Sequence, residues 1–205
     1  MAEIKLTKME LRTQQLKLEQ LRKYLPTLQM KKSMLQLEVS HAALEIDRLI
    51  SHLGVKQERM QKYAQLFTDP SFDRLLTATQ MQNREVLYDN IAGINVPKLG
   101  EIDFEKPQYF LFDTPLWFES VLNDIRDLII AREKVQVAKQ KKQVLERELK
   151  EVSIRVNLFE KILIPRAQGN IRKIKIFLSD QQLAAVSQAK IAKKKMHQRS
   201  LEVNV

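Results

Sequence analysis

The feature that most constrains this chain is a pair of long apolar stripes with a seven-residue period. From Leu18, positions alternate in steps of three and four: Leu18, Leu21, Leu25, Leu28, Lys32, Leu35, Val39, Ala42, Ile46, Leu49 and Leu53. Only Lys32 interrupts the apolar run. The same register reaches back to Leu11 and Ile4 and forward to Met60, Tyr63 and Phe67. A 3.5-residue repeat held this long predicts a helix packed along one seam against another helix. Drawn from residue 4 to residue 67, that helix is about 95 Å long at ~1.5 Å per residue.

A second stripe runs from Trp117 toward the C-terminus through Val121, Asp124, Leu128, Ala131, Val135, Ala138, Lys142, Leu145, Leu149, Val152, Val156, Phe159 and Leu163. Beyond Leu163 the phase slips, and the stripe resumes as Ala167, Ile171, Ile174 and Leu178, beside Pro165 and Gly169. An extra step of this kind unwinds a coiled coil locally, and proline removes a backbone donor, so a bend is expected there. Parallel pairing between two chains would also bury these stripes. Two complementary stripes in one chain instead favour an intramolecular antiparallel hairpin through effective concentration.

Turn chemistry is confined to the middle. Thr68 or Asp69 is placed to cap a helix with Pro70 in its first turn, running through Phe72, Leu75, Leu76 and Met81. Ile91 to Pro97 reads as a strand, Gly100-Glu101 as a turn, and Ile102-Asp103-Phe104 as the partner strand of a small β-hairpin. Pro107 and Pro115 punctuate the aromatic cluster Tyr109, Phe110, Phe112, Trp117 and Phe118, expected to pack on the end of the helix pair. The fold predicted is mainly α: a long antiparallel two-helix coiled coil formed by the N- and C-terminal helices, with a short helix and small β-hairpin between them. Its parts are residues 1–67, 68–115 and 116–205, the last including a basic tail.

Composition narrows the function. The chain of 205 residues has 4 glycines and no cysteine. Gly54, Gly93, Gly100 and Gly169 stand too far apart for a phosphate-cradling loop or a dinucleotide-binding turn. The absence of cysteine removes disulfides, thiolate nucleophiles and Cys-ligated zinc. His41, His52 and His197 have no paired-ligand spacing, and pairs such as Glu146/Glu148 and Asp124/Asp127 fit solvated helix faces. The sequence therefore offers no catalytic residue, no cofactor site and no metal site. It also shows no leader segment, and its longest apolar runs, Tyr109–Phe112 and Leu128–Ala131, are far too short to span a bilayer. A cytoplasmic protein, peripheral to a membrane through a partner if at all, is expected.

The formal charge of +10 is uneven. Residues 1–35 carry +5, residues 151–205 carry +7, and the middle carries −2. An antiparallel hairpin brings both basic ends to one tip. The terminal cluster Lys190, Lys193, Lys194, Lys195 and Arg199 has three readings: a nucleic-acid tail, a solvated tail, or a protein-docking tip. Aromatic residues for base stacking are missing, which weighs against nucleic acid. Lys32 and Lys142 either pack their aliphatic stems in the seam or set its register. Met9, Leu16, Met30, Leu37 and Leu44 form a second stripe opposite the seam, with Met34 nearby. They are either buried by the middle region, scattered surface residues, or a surface for a partner protein.

Several stretches resemble one family. Leu6-Thr7-Lys8 through Leu25-Pro26-Thr27-Leu28-Gln29-Met30-Lys31-Lys32, the central Gly93-Ile94-Asn95-Val96-Pro97, Arg155-Val156-Asn157-Leu158-Phe159-Glu160 with Ile164-Pro165-Arg166, and the basic Lys190-Ile191-Ala192-Lys193-Lys194-Lys195 are similar to the D subunit of V-type (A/V-type) ATP synthases/ATPases. The resemblance covers essentially the whole chain, with Pro26 departing from the commoner pattern. It implies a central-stalk rotor shaft that couples ATP synthesis or hydrolysis in a catalytic head to proton or sodium ion movement through a membrane rotor. It implies a non-catalytic role, with no direct membrane insertion and no nucleic acid. The implied partners are the catalytic and nucleotide-binding head subunits, the small F subunit of the central stalk, and a connecting subunit to the membrane rotor ring. On that basis Met9, Leu16, Met30, Met34, Leu37 and Leu44 are expected to meet a sleeve or the F subunit. Arg155, Arg166, Arg172, Lys173 and Lys175 are expected to meet the ring of head subunits. The competing reading is a non-rotary coiled-coil scaffold or tether.

Overall fold

A computed structural model of the chain describes residues 5–65, 72–105 and 114–202, the last six as backbone only. In chain order the elements are α1 (Lys8–Gln61), α2 (Phe72–Ala78), β1 (Met81–Ile91), β2 (Ile94–Phe104), α3 (Phe118–Leu158), a π-helical turn (Phe159–Leu163) and α4 (Ile164–Glu202). The architecture is mainly helical, with a short helix and a two-stranded antiparallel hairpin between the long helices. Ile4 and Phe67 of the seam, the Thr68-Asp69-Pro70 cap, and Pro107, Tyr109, Phe110 and Phe112 lie outside the described residues.

Helix α1 starts where the Thr7 hydroxyl accepts the Glu10 N–H at 3.2 Å, satisfying one of the donors that a helix start leaves unpaired. It then runs 54 residues and passes through Pro26. Pro26 has no N–H to give the Arg22 carbonyl, and beside it the Thr27 hydroxyl donates to the Tyr24 carbonyl at 2.7 Å.

The chain forms two compact units, one combining residues up to Met30 with those from Ser153 onward, the other being Lys31–Val152. In the second unit the seam is buried as its periodicity predicts. Leu35, Ala42, Ile46 and Met60 of α1 are buried, as are Val121, Ala131, Val135, Ala138, Leu145 and Val152 of α3. Ion pairs give the direction: Glu45 meets Lys141 at 3.2 Å, Lys56 meets Asp127 at 2.8 Å, and Arg59 meets Asp124 at 3.0 Å. Partner numbers fall as α1 advances, so the helices are antiparallel. Leu75 and Ala78 of α2 close this helix pair by packing with Met60, Phe118, Val121 and Leu122, flanked by Tyr63, Phe72 and Trp117.

The hairpin is present, but its turn and its strand limits differ from the sequence reading. Met81, expected in a helix, opens β1. Ile91 pairs with Ile94, so Ala92-Gly93 is a two-residue turn and the segment read as one strand contains the reversal. Both turn residues have positive φ, 53° and 78°, the geometry that matches the twist of the flanking strands. The Asn90 side chain accepts the Gly93 N–H at 3.0 Å and supports the turn. Gly100, expected at the turn, instead lies within β2 at a register shift opposite Glu85. A Cβ at this position would sit 3.2 Å from the Glu85 Cβ, so glycine allows a close backbone approach rather than a reversal. Pro97 is tolerated because a strand in a two-stranded sheet has one unpaired edge.

In the first unit Val156, Ala167 and Ile174 are buried, and Asn170 donates to Gln14 at 3.5 Å. The irregularity expected at Pro165 and Gly169 falls earlier, as the wide turn Phe159–Leu163. There the Ile164 N–H reaches back five residues to the Phe159 carbonyl. Pro165 cannot donate to the helix ladder, and a π-turn just before it re-phases the helix, so the buried face resumes at Ala167 and Ile174.

The turn yields a stability test. Ala92→Asn should raise stability by about 0.5–1 kcal/mol, because asparagine tolerates the left-handed conformation that alanine disfavours. Gly100→Val should lower it by roughly 1–3 kcal/mol through its clash with Glu85. Chemical denaturation of the three proteins reads both signs.

Candidate partner interface

One surface left uncovered by the described residues lies at the far end of α4. Gln14 meets Asn170, and α1 begins six residues before Gln14 at Lys8. In an antiparallel pair that stagger places Lys8 opposite Ile176. Leu178 is the last half-buried residue of the seam, and every described side chain from Ser179 to Met196 is exposed. Leu183, Val186, Ile191 and Met196 are among them, at 53–71% exposure. The segment stays helical through its Ala, Gln, Lys and Leu content rather than through packing. Helices held only by propensity are marginal in water.

Charge follows the same division. The first unit contains 17 basic and 6 acidic residues, a net of +11, whereas Lys31–Val152 carries −1. Arg155, Arg166, Arg172, Lys173 and Lys175 all lie in the first unit with exposed side chains. Arg155, Arg166 and Lys173 each immediately precede a buried residue, namely Val156, Ala167 and Ile174, which sets these three along one flank of the seam.

The second stripe of α1 is exposed throughout. Met9, Leu16 and Met30 belong to the first unit, and Met34, Leu37 and Leu44 to the second. Their exposures run from 53% to 76%. The described part of the middle region therefore does not cover them. The contrast with the seam is sharp two residues apart: Leu35 is 0% exposed and Leu37 is 58%. Lys32 and Lys142, which interrupt the seams, are half-buried. Lys142 also lies 3.6 Å from Glu146 on its own helix, as expected of a stem that packs while its ammonium reaches outward.

Sequence reading missed the polar ties within the second unit. Arg126 donates to the carbonyls of Ala78 and Glu105, at 2.8 and 3.0 Å, and stacks over Phe104 at 5.2 Å from the ring centroid. It thereby joins α2 and the end of β2 to α3. Arg84 on β1 pairs with the buried Glu133 of α3 at 2.7 Å. The one available sequence signal for Glu133 is its place in the alternation Ala131, Glu133, Val135 and Val137, in which Val137 lies outside the heptad register. At Arg59 the Tyr63 hydroxyl, then the Asp124 carboxylate, hold the guanidinium above its ordinary value. Among the described residues no group of three or more His, Asp or Glu is arranged to hold a metal ion. No described helix is long and apolar enough to cross a membrane.

The chain is thus a protein of antiparallel long helices with a small inserted hairpin and with exposed apolar and basic surface on the helices. Residues 10–194 match the family of the ATP synthase D subunit, and the chain belongs to that family. It is 41% identical over 202 residues to the V-type ATP synthase D subunit of Chlamydia caviae, covering 98% of this chain and 97% of that relative. The V-type ATP synthase D subunit of Chlamydia trachomatis serovar L2 is 39% identical over 198 residues, covering 96% and 98% respectively.

Seam and stripe should respond differently to truncation. Leu35→Ala should cost about 2–5 kcal/mol of stability. Leu37→Ala should change it by less than about 0.5 kcal/mol. Urea unfolding of the two variants measures the difference.

Proposed function

We propose that the chain is the central-stalk rotor shaft of a V-type ATP synthase/ATPase. In this reading it couples ATP synthesis or hydrolysis in the catalytic head to ion translocation by a membrane rotor, and it is non-catalytic and peripheral to the membrane. The observation that carries the reading is the α4 segment beyond Leu178, a basic helix that packs against no partner among the described residues. Family membership supplies the context: the relatives' names tie them to a V-type ATP synthase.

A head with several catalytic interfaces around one off-centre helix would meet a different face of that helix at each interface. Contacts that differ between interfaces stabilise different conformations of each, and turning the helix shifts which interface is favoured. Ion-driven rotation would then force nucleotide release in sequence, and ATP hydrolysis would drive the reverse. Arg155, Arg166, Arg172, Lys173 and Lys175 are the proposed polar contacts with the catalytic and nucleotide-binding subunits. The exposed stripe Met9, Leu16, Met30, Met34, Leu37 and Leu44 is the proposed contact for a sleeve or the small F subunit. A connecting subunit would join the shaft to the rotor ring. Within the second unit, the buried seam and its cross-helix ion pairs resist relative sliding of the helices, as torque transmission requires.

Removing residues 180–205 tests the proposal in the assembled complex. ATP hydrolysis by the head should persist while ATP-driven ion pumping falls by at least tenfold. Full pumping by the truncated complex would contradict the reading.

A further inference from the structure

The second unit contains a cavity of about 350 Å³ between the β-hairpin, α1 and α3. Its size lies at the small end of ligand-sized clefts, which run from roughly 300 to 1,000 Å³. Apolar side chains line it from all three elements: Leu49 of α1, Val96 and Leu99 of β2, and Val137 and Ala138 of α3. Val96, Val137 and Ala138 are almost fully buried, so they form a dry wall.

Charged residues also line the cavity, and they are unequally occupied. Glu45 and Lys141 neutralise each other at 3.2 Å. The Asp89 carboxylate accepts the Asn90 N–H at 2.9 Å. Lys98 on β2 and Lys134 on α3 are exposed and have no ion-pair partner among the described residues. An apolar cavity with two uncommitted ammonium groups on opposite elements suits a ligand with an apolar body and an anionic head. Three lysines, Lys98, Lys134 and Lys141, line the cavity against two carboxylates, Glu45 and Asp89, so the net positive lining disfavours a cationic ligand.

We propose that this cavity binds a small single-chain anionic amphiphile. Its aliphatic chain lies against Leu49, Val96, Leu99, Val137 and Ala138, and its head engages Lys98 and Lys134. The chemistry is common to fatty carboxylates and alkyl phosphates, and a volume of about 350 Å³ suits a single chain. Bound in this way, the ligand ties the hairpin to the helix pair. The proposal is independent of the rotor reading.

The test is calorimetric titration of the full-length chain with octanoate, nonanoate and decanoate, each below its micelle-forming concentration, with thermal unfolding in parallel. Binding should be one to one and raise the unfolding temperature. Affinity should rise about fourfold for each added methylene until the cavity is full. Decyl phosphate in place of decanoate identifies the preferred head: tighter binding of either compound fits the proposal. The double variant Lys98→Gln/Lys134→Gln, at two exposed positions that leave the fold intact, should weaken decanoate binding at least tenfold. Decanol and decyltrimethylammonium should bind at least tenfold more weakly than decanoate. Equal binding of decanol, unchanged binding by the double variant, absence of the chain-length trend, or no binding at all would each overturn it.

Discussion

The packing of small and branched side chains along a seam of three- and four-residue steps is the constraint on which everything else depends. Ala42, Ala131, Ala138 and Ala167 let helix backbones approach, while Leu35, Leu145 and Ile174 fill the space between them completely. Because this seam occupies one face of each helix, the remaining faces are left for other work. In α3 the buried positions Ala131, Glu133, Val135, Val137 and Ala138 surround more than one face, because the hairpin covers what α1 does not. The π-turn before Pro165 follows from the same constraint. At Pro165, where the helix cannot donate, the wide turn just before it restores the phase of the buried face.

The seam was legible in the sequence almost residue by residue. Two of its members, Leu35 and Leu145, are wholly buried where the heptad register places them. The phase slip after Leu163 was also legible, since Ala167 and Ile174 are buried as the shifted register requires. The hairpin was legible only in kind. Glycine and proline mark turns in most sequences, but here Gly100 serves a close approach to Glu85 and Pro97 sits within a strand. The true turn holds an alanine at positive φ, a residue whose chemistry does not announce that conformation. Arg126 could not be found from sequence, because its value lies in reaching two carbonyls that only the folded chain brings near it.

The exposed stripe of α1 and the single-helix end of α4 were legible as unpaired apolar and basic surface, and the structure leaves both uncovered by the described residues. Neither surface identifies its occupant by itself. The basic charge is most informative when divided: +11 in the unit containing both chain ends against −1 in the rest. That division separates a stretch suited to docking against other chains from one organised around internal ion pairs.

Rotation itself is the central claim, and it can be watched directly. The chain has no cysteine, so Leu116→Cys, at a fully exposed position, provides a single attachment point for a bead on the proposed shaft. With the catalytic head of the complex fixed to glass and ATP supplied, the account predicts stepwise rotation of the bead in one direction. A bead that stays fixed relative to the head while ATP is hydrolysed would contradict it.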